Sequence, residues 1–554
     1  MMNKGLLIFF SLFSLIFAAN ENNFEFKWKN IVHLYNKNLG RYNQYFYFSY
    51  PNVTWKNELN ATIEAFRKDK KTACIFPYRY KFLKKYYSLP EVDLNKCSEL
   101  QKFLKIFKDE RKIGLVFSSE YESSPQSSFG HVMLVFLNDK SFIDSDVVHF
   151  AAKAKKEGFF KYSYDGLMGN FDAFYIRERL YKKIYIYNIV QQRTMYIYEL
   201  NLTKSEIENL KLHLFELRRF RAKYYFMNYN CSSATIDLLN AVSQKPVNYQ
   251  KIFVLPIDSV IYEKKLISSR KVLIPLNKQI ILLLHKMTLK QKREFQNALN
   301  GNIKDYKSLP NIVKEALNKY VEYSFRTKRY VYGNYDLIKS LKYNPVKLDE
   351  SELSDPLDSV FPREIRFFVT NNYKELYLRP FLIDKYDYQT SLTNEKSYRL
   401  FTFDLIYKNK KLKINYFDIF LTESMQKRYG EFLKPISWKV YMGFNRYNKK
   451  DKLSFNYELG FGQSWQSFVF FNYFIDFGFY AFNYSRAYIK PEFNLFYYLN
   501  RVKFFVTYQK KLFEGYYSKQ VGFNYKINKN FGFIGSLEKN SNEFVRKAGI
   551  YFNF

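Results

Sequence analysis

Apolar and polar residues follow two different periods along this chain. From residue 20 to about 105 the apolar residues recur with helical spacing, whereas between 110 and 200 they form short runs that indicate strands. After residue 250 helical spacing returns and continues to about residue 350. This part of the chain therefore predicts an α+β fold, in which a sheet-containing domain has helical segments on both sides.

The C-terminal part, from about residue 363, alternates with period two. Trp438, Val440 and Met442 alternate with polar residues, and similar segments recur up to an aromatic C-terminus at Phe554. Repeated segments of about ten residues with one apolar and one polar face are typical of transmembrane barrels. We expect an antiparallel outer-membrane β-barrel of about 10 to 12 strands, with a soluble β-sandwich as the alternative. The terminal phenylalanine resembles the signal by which the outer-membrane assembly machinery recognises barrel proteins.

The first residues and the cysteines indicate an oxidising compartment. Residues 1–19 combine one lysine, a short apolar core and small residues at the end, which is the pattern of a secretory signal peptide. Because export allows disulfides, we expect Cys74 and Cys97 to be bridged, with two buried free thiols as the alternative. That pairing leaves Cys231 as the free cysteine of the 3 in the chain.

The net charge of the chain limits the classes of molecule that it is expected to bind. The formal net charge is +36, from 88 Lys and Arg against 52 Asp and Glu. In an exported protein such an excess indicates anionic lipid head groups, lipopolysaccharide phosphates or anionic cell-wall polymers rather than nucleic acid. The sequence predicts neither a metal site nor a cofactor.

We divide the chain at changes of pattern. A polar stretch with two prolines, residues 351–362, is predicted to be a linker. The predicted parts are a signal peptide (1–19), an N-terminal helical segment (20–105), a Cys/His catalytic domain (106–250), a helical connector (251–355) and the barrel (356–554).

Two residues carry the candidate chemistry. Cys231 lies at the start of a predicted helix, where the helix dipole and free N–H groups would lower the pKa of the thiol. His131, 100 residues earlier, follows Gly130 at the start of an apolar strand. Singly, the cysteine fits a small buried apolar residue and the histidine a hydrogen-bonded core residue. Together they predict a thiol enzyme. His213, on the predicted helix after Thr203, is expected to be solvated.

Several short motifs together resemble a known family. The motifs are Ser-Ser-Phe-Gly-His (127–131), Val-His-Phe-Ala-Ala (148–152), Gly-Leu-Met-Gly-Asn (166–170), Gln-Arg-Thr-Met-Tyr-Ile-Tyr-Glu (192–199) and Asn-Cys-Ser-Ser (230–233), with flanking segments at 74–79 and 255–258. Their order and spacing are similar to those of the Lnb-type lipoprotein N-acyltransferase family, and the resemblance covers most of residues 60 to 275.

The resemblance implies a fold and a set of roles. The fold would be a periplasmic, circularly permuted papain-like (NlpC/P60-like) domain. Cys231 would be the nucleophile and His131 the general base, and the backbone N–H of Cys231 would stabilise the oxyanion. His149 falls where a third residue orients the imidazole, a place at which the family is expected to have a polar amide. The loop residues assigned to substrate or oxyanion binding are Gly130, Asn230 and Ser232.

The implied reaction is acyl transfer. Cys231 would take an acyl chain from a phospholipid and pass it, through a thioester, to the N-terminal amine of a lipoprotein. The catalytic domain would lie in the periplasm of a Gram-negative bacterium, held at the outer membrane by the barrel. Two alternatives remain open, namely a cysteine amidase or peptidase acting on peptidoglycan or peptides, and a non-enzymatic barrel protein with a periplasmic binding domain. Apolar surface around Cys231 would favour lipid chemistry, and a polar cleft would favour hydrolysis.

Overall fold

The computed structural model describes residues 23–36, 39–119, 129–153, 158–249, 252–328, 334–353, 355–358, 361–381, 383–389, 394–430, 432–446, 452–482 and 485–554. The predicted signal peptide and the first two residues of the 127–131 motif lie outside the described residues. The chain divides into two compact units, with the boundary between Leu273 and Ile274. Of the helices in the described ranges, none has the length and apolarity needed to cross a membrane.

The N-terminal unit combines helices with one antiparallel sheet. Its helices are α1 (Asn23–Ile31), α2 (Trp55–Lys68), α3 (Thr72–Ile75), α4 (Pro77–Leu83), α5 (Ser98–Ile106), α6 (Phe159–Met168), α7 (Leu180–Lys183), α8 (Lys204–Leu217), α9 (Cys231–Val242) and α10 (Pro256–Tyr262), and a π-helix (Ile184–Val190) continues α7. Its strands are β1 (Leu34–Asn36), β2 (Leu39–Gly40), β3 (Glu110–Ser118), β4 (His131–Asn138), β5 (Asp146–Ala152), β6 (Phe171–Arg179), β7 (Met195–Leu200), β8 (Ala222–Tyr224) and β9 (Ile267–Leu273).

The sheet has the order β8-β6-β5-β4-β3-β7-β9, so β4 and β5 lie near its middle. The run of buried residues in the middle of β4 explains its uninterrupted apolar sequence, because both faces of this strand are covered. Helix α9 packs against β4 and β5. The first residue of α9 is therefore held beside the first residue of β4. The unit is a helix-and-sheet domain, as predicted, and its relation to papain-like enzymes remains a prediction.

A buried polar network joins the N-terminal helices to α8. His213 is fully buried, and its ring nitrogens contact His33 Nε2 at 3.0 Å and Glu216 Oε2 at 2.8 Å. Burial raises the pKa of Glu216 to about 8 and lowers the pKa of His213. The prediction that His213 is solvated is wrong, because its partner His33 is 180 residues away and the local pattern of α8 does not reveal it.

The disulfide between Cys74 and Cys97 is present, which confirms the predicted pairing, and Cys231 is free and buried. The bridge joins α3 to the residue that precedes α5. It therefore ties α3 to the start of α5, 23 residues further along the chain.

The C-terminal unit begins with helices and ends with a closed barrel. The helices are α11 (Leu276–Lys286), α12 (Leu289–Leu299), α13 (Asn311–Arg326) and α14 (Tyr335–Lys339). The strands are β10 (Glu364–Thr370), β11 (Lys374–Arg379), β12 (Asn394–Lys408), β13 (Lys411–Gln426), β14 (Ser437–Asn445), β15 (Ser454–Gln466), β16 (Phe470–Ala481), β17 (Arg486–Leu499), β18 (Val502–Lys510), β19 (Tyr517–Lys526), β20 (Phe531–Asn540) and β21 (Phe544–Asn553). The segment predicted as a helical connector (251–355) is thus divided between the two units at residue 273.

The barrel has polar residues inside and apolar residues outside, which is the reverse of the distribution in a soluble protein. In the part of the chain that the structure describes, twelve antiparallel strands each pair with the next, and β21 pairs with β10. Lys439 and Glu458 are buried inside, whereas Phe461 and Phe477 are 54% and 52% exposed on the outside. An apolar exterior around a polar interior is the arrangement of a barrel that faces lipid. The predicted closed barrel is confirmed, and the sandwich alternative is wrong.

Thiol counting tests the disulfide. We expect the unfolded but unreduced protein to expose one reactive thiol, Cys231, and reduction to raise the count to three. Cys97→Ser should lower the free energy of unfolding by about 3 kcal/mol, because the bridge restrains the unfolded chain. Alkylation followed by mass spectrometry gives the count, and chemical denaturation gives the free energy. Three thiols in the unreduced protein would contradict the pairing.

Candidate active site

Cys231 is the first residue of α9, and its position is set by the residue before it. Asn230 caps the helix, since its side-chain oxygen accepts the N–H groups of Ser232 and Ser233 at 2.9 and 3.4 Å. Its amide group donates to the carbonyl oxygens of Phe226 at 3.1 Å and Val254 at 2.6 Å. Asn230 thus fixes the loop that carries Cys231 through contacts on both sides of it.

His131 opens β4, on the strand against which the thiol packs. The backbone N–H of Val132, the next residue, forms a hydrogen bond with the Cys231 sulfur. Gly130 precedes His131 with φ +89°, and a Cβ there would lie 2.9 Å from the carbonyl oxygen of Ser118. Gly130 therefore provides a turn that favours glycine, and its predicted place in the substrate loop stays a prediction. The structure brings Cys231 and His131 to one place.

A chain of polar contacts leads away from His131 across the sheet. His131 Nε2 lies 3.4 Å from His149 Nδ1, and His149 Nε2 lies 2.9 Å from Glu178 Oε2. Glu178 also forms an ion pair with Lys183 on α7. These residues come from the adjacent strands β4, β5 and β6 and from the helix that follows β6. We call this set the histidine relay: His131, His149, Glu178 and Lys183.

The relay determines which nitrogen of His131 is basic. The pKa of Glu178 is lowered to about 2, first by its hydrogen bond to His149, so Glu178 is an ionised acceptor. His149 then donates through Nε2, and its Nδ1 accepts from Nε2 of His131. In this tautomer Nδ1 of His131 is the nitrogen that is free to take a proton. His149, predicted as the orienting residue, contacts His131 through this pair of nitrogens, and its role stays a prediction.

Burial sets the protonation of the pair. Burial lowers the pKa of His131 well below its ordinary value, and the neighbouring His149 lowers it further. Burial also raises the pKa of the Cys231 thiol, although hydrogen bonds from Val132 and Tyr224 act in the opposite direction. The expectation that the helix terminus lowers the pKa of Cys231 is therefore not met, because desolvation of the sulfur is larger. At neutral pH the pair is a thiol beside a neutral imidazole.

Two tyrosines that the sequence did not single out border the sulfur. The Tyr224 hydroxyl lies 3.4 Å from the backbone nitrogen of Cys231 and forms a hydrogen bond with its sulfur. The Tyr187 ring lies 6.0 Å from the His131 ring, and the Arg193 guanidinium lies 4.6 Å from the centre of the Tyr187 ring. Tyrosine is too common in this chain, at 52 residues, for the sequence to distinguish these two.

Ser232 does not face the sulfur site. Its hydroxyl lies 2.6 Å from the Ser259 hydroxyl and accepts the N–H of Ser259 at 3.1 Å, and both side chains are fully buried. Ser232 therefore joins α9 to α10, which gives it a structural role in this state. Among the described residues, no three His, Cys, Asp or Glu side chains are grouped so as to hold a metal ion.

Exposed apolar residues surround the site on two sides. On the segment 180–190 they recur at intervals of four and five, which keeps them on one face of a helix with i→i+5 hydrogen bonds. These residues, which we call the apolar face, are Tyr181, Tyr185, Ile186 and Val190, with exposures of 47%, 59%, 39% and 47%. Helix α6 adds Tyr164, Leu167 and Met168. Its Gly166 carbonyl accepts the N–H of Phe226, in the loop before Cys231.

Family models match three segments of the chain. Residues 100–262 match the model of the Lnb N-terminal periplasmic domain. This segment, which we call the Lnb domain, is similar to the periplasmic domain of that family. The predicted resemblance, including the fusion to a C-terminal barrel, is confirmed. Two further models, both described as domains of unknown function, match residues 24–86 (DUF7843) and 367–531 (DUF7840).

Other comparisons add little. No curated protein matches the chain. Among solved structures, the KdgM porin has 10% sequence identity, covers 35% of this chain and 98% of its own, and has a TM-score of 0.23. A mutant of the Rh. blastica porin has 9% identity, covers 35% of this chain and 99% of its own, and has a TM-score of 0.18. Similarity this low says nothing about function.

The pH dependence of alkylation tests the protonation of Cys231 in the Lnb domain. Because burial raises the pKa of this thiol, its reaction with a small alkylating reagent should be slow at pH 7 and still rising at pH values above the ordinary thiol pKa of about 8.5. The unfolded chain is the control and should level off earlier. A native rate that is already flat between about pH 6 and 8 would show a preformed thiolate and contradict this assignment.

Glu178→Gln tests the relay. Loss of the carboxylate removes a charge that raises the pKa values of His149 and His131. We measure the rate at which a soluble aryl ester acylates Cys231 as a function of pH. The acid limb of this pH–rate profile should move to lower pH, and the plateau rate should fall about tenfold.

Glu199→Gln is the matched control, because Glu199 pairs with Lys112 at 2.8 Å on the same sheet, outside the site. A residue that only stabilised the fold would lower the plateau without moving the limb. An unchanged limb in Glu178→Gln would therefore exclude a positioning role for Glu178.

Proposed function

We propose that the Lnb domain is a thiol-dependent acyltransferase that moves an acyl chain from a phospholipid, through a Cys231 thioester, to the N-terminal amine of a lipoprotein. One observation carries the proposal. The apolar face lies on the outer side of the segment 180–190, and the inner side of the same segment borders Cys231 and His131. Tyr187 points inward, 6.0 Å from His131, while Tyr185 and Ile186 beside it are exposed.

An exposed row of large apolar side chains is costly in water unless a partner covers it. Tyr residues and aliphatic residues on one helical face, with Lys182 exposed next to them, are suited to the boundary between lipid head groups and acyl chains. A peptide or muropeptide substrate would instead be recognised by a polar cleft. The composition of this face thus favours a lipid substrate over the amidase or peptidase alternative.

The first step would be acyl transfer to the enzyme. The Cys231 sulfur attacks the ester carbonyl carbon of the phospholipid, and Nδ1 of His131 takes the thiol proton as the new bond forms. The Cys231 N–H and the Tyr224 hydroxyl lie beside the sulfur and would donate to the developing oxyanion. The carbon–oxygen bond then breaks, and His131 returns the proton to the oxygen of the departing lysophospholipid.

The second step would transfer the chain to an amine. The neutral α-amine of the lipoprotein attacks the thioester carbonyl and His131 accepts the amine proton. His131 then gives this proton to the Cys231 sulfur as the carbon–sulfur bond breaks, which restores the thiol and the neutral imidazole. A site that desolvates Cys231 also keeps water from the thioester, which favours aminolysis over hydrolysis. A neutral His131 is suited to both proton transfers because it is a base before each attack.

The barrel supports a location at the outer membrane, with the Lnb domain in the periplasm. Its apolar exterior requires lipid, and a closed barrel satisfies its backbone hydrogen bonds within a bilayer. An anchor of this kind would keep the domain beside both phospholipid and lipoprotein, so the low concentration of either substrate in water would not limit the reaction.

Intact-mass measurement of the full-length protein after incubation with phospholipid vesicles tests the proposal. We expect a mass increase of one acyl chain that hydroxylamine removes, since hydroxylamine cleaves thioesters. Cys231→Ser should abolish the adduct, and His131→Ala should slow its formation by at least about 10²-fold. If no adduct forms while peptides or muropeptides are cleaved in a Cys231-dependent way, the hydrolase alternative is correct.

A double variant tests the apolar face separately. Tyr185→Ser with Ile186→Ser should slow acylation from vesicles about tenfold or more, because two large side chains no longer enter the lipid, and should leave the reaction with a soluble ester unchanged. Tyr45→Ser with Ile75→Ser is the control, because these side chains are also exposed, at 73% and 38%, but belong to other segments. Equal loss with both substrates would mean that the face only supports the fold.

A further inference from the structure

The connection between β11 and β12 enters the barrel. Residues 383–389 of this connection, which we call the plug segment, contain Asp384 and Asp387, which are 2% and 3% exposed. Asp384 forms an ion pair with Arg399 at 2.9 Å, and Asp387 forms one with Arg379 at 2.7 Å and another with Arg366. These arginines are on β12, β11 and β10, so one side of the segment is bound to one wall of the barrel.

The other side of the plug segment reaches the opposite wall. The Tyr386 ring lies 4.8 Å from the ring of Phe505 on β18, and the Tyr386 carbonyl accepts the side-chain N–H of Asn524 on β19 at 3.0 Å. In a barrel of twelve strands, β12 and β18 are six strands apart and therefore face each other. The plug segment thus crosses the lumen from wall to wall.

Lys385 occupies the part of the lumen next to strands β13 to β17. Its ammonium group binds Glu423 on β13 at 3.2 Å and Glu492 on β17 at 2.6 Å. Glu492 in turn binds Lys439 on β14 at 2.6 Å, and Lys439 binds Asp476 on β16 at 2.9 Å. The network continues through Lys490, which contacts Glu458 on β15 at 2.7 Å. Side chains from β13 to β17 therefore meet one another across the interior.

An apolar layer inside the barrel packs against the plug segment. Tyr386 packs against a buried cluster whose members come from β10, β13, β16, β17, β18, β20 and β21, namely Phe368, Met425, Phe470, Phe474, Phe496, Phe505, Ile534 and Tyr551. Large inward aromatic residues occupy the space that water fills in a diffusion pore. A polar cavity of about 310 Å³ is lined by the plug residues Asp384, Lys385 and Tyr386 together with wall residues such as Glu375 and Lys547.

We propose that the plug segment seals the lumen, so that the barrel acts as a membrane anchor and not as a diffusion pore. A permeating ion or solute would have to separate buried ion pairs and displace Tyr386 from its apolar cluster. Breaking such pairs leaves uncompensated charge in a dry interior, which is strongly unfavourable. This inference concerns the barrel alone and holds whether or not the Lnb domain transfers acyl chains.

Conductance of the full-length protein in planar lipid bilayers tests the seal. We expect the wild-type protein to insert without stepwise current. Replacement of Asp384, Lys385, Tyr386 and Asp387 by a Gly-Ser-Gly-Ser segment of equal length should open the lumen and produce stepwise currents. Asn409→Gly with Lys410→Gly is the control; it alters the exposed β12–β13 turn, where φ is 52° and 60°, and should remain silent.

Heat-modifiable gel mobility shows whether each variant still forms a closed barrel. If the four-residue replacement fails to fold, Tyr386→Ala provides the second variant, because it keeps every ion pair of the plug segment and removes the ring, with its apolar contacts and its hydrogen bond to Thr507. Stepwise currents in the wild-type protein would overturn the proposal, as would silence in every correctly folded plug variant. Silence in the wild type with currents in a plug variant would establish the seal.

Discussion

Desolvation of a few polar atoms is the constraint on which the site depends. The Cys231 sulfur is held between the start of α9 and the start of β4, and the Cys231 side chain is almost completely withdrawn from water. Taking a thiol out of water favours its neutral form, and taking an imidazole out of water does the same. Each effect alone would produce an inert residue. Placed together they give a proton donor and a proton acceptor, which is the arrangement that the proposed acyl transfer needs.

The barrel also buries polar groups away from water, but it stabilises them in a different way. At the Cys231 site the buried thiol and the imidazole of His131 are neutral, whereas in the barrel acidic and basic side chains are buried as ion pairs. Asp384, Lys385 and Asp387 each have at least one oppositely charged partner on a strand. Buried ion pairs add little net stability, but they make the wrong arrangements very costly. Ion pairs of this kind favour one position of the plug segment in a lumen that could otherwise accommodate several positions.

Much of the architecture could be predicted from local patterns. Alternation at Trp438, Val440 and Met442 was sufficient for the barrel, because few folds other than a membrane barrel combine period two with an apolar exterior. Cys231 and His131 were found because each begins a regular element after a small or polar residue. The disulfide followed from compartment and spacing. For the barrel strands, Cys231 and His131 the information lies within about ten residues of the feature itself.

What could not be predicted depends on contacts between distant residues. Glu178 lies between two arginines and looks like a solvated strand end, and only the neighbouring strand shows its contact with His149. The pKa of Cys231 moves in the direction opposite to the prediction, because the helix terminus is visible in sequence and the covering strand is not. Lys385 is 107 residues from Glu492, so no local pattern reveals the plug segment.

The segment 180–190 connects the two halves of the proposed mechanism. Its widened helical turn directs Tyr187 and Lys183 inward while Tyr185 and Ile186 face outward, and π-helical turns often occur where a helix has such a double task. A membrane that took up the outer side chains would also hold Lys183 beside Glu178, and through Glu178 the orientation of His149. Lipid contact and base orientation would then be one event. Under the proposed function, lipid contact would keep the base oriented at the place where the substrate is present.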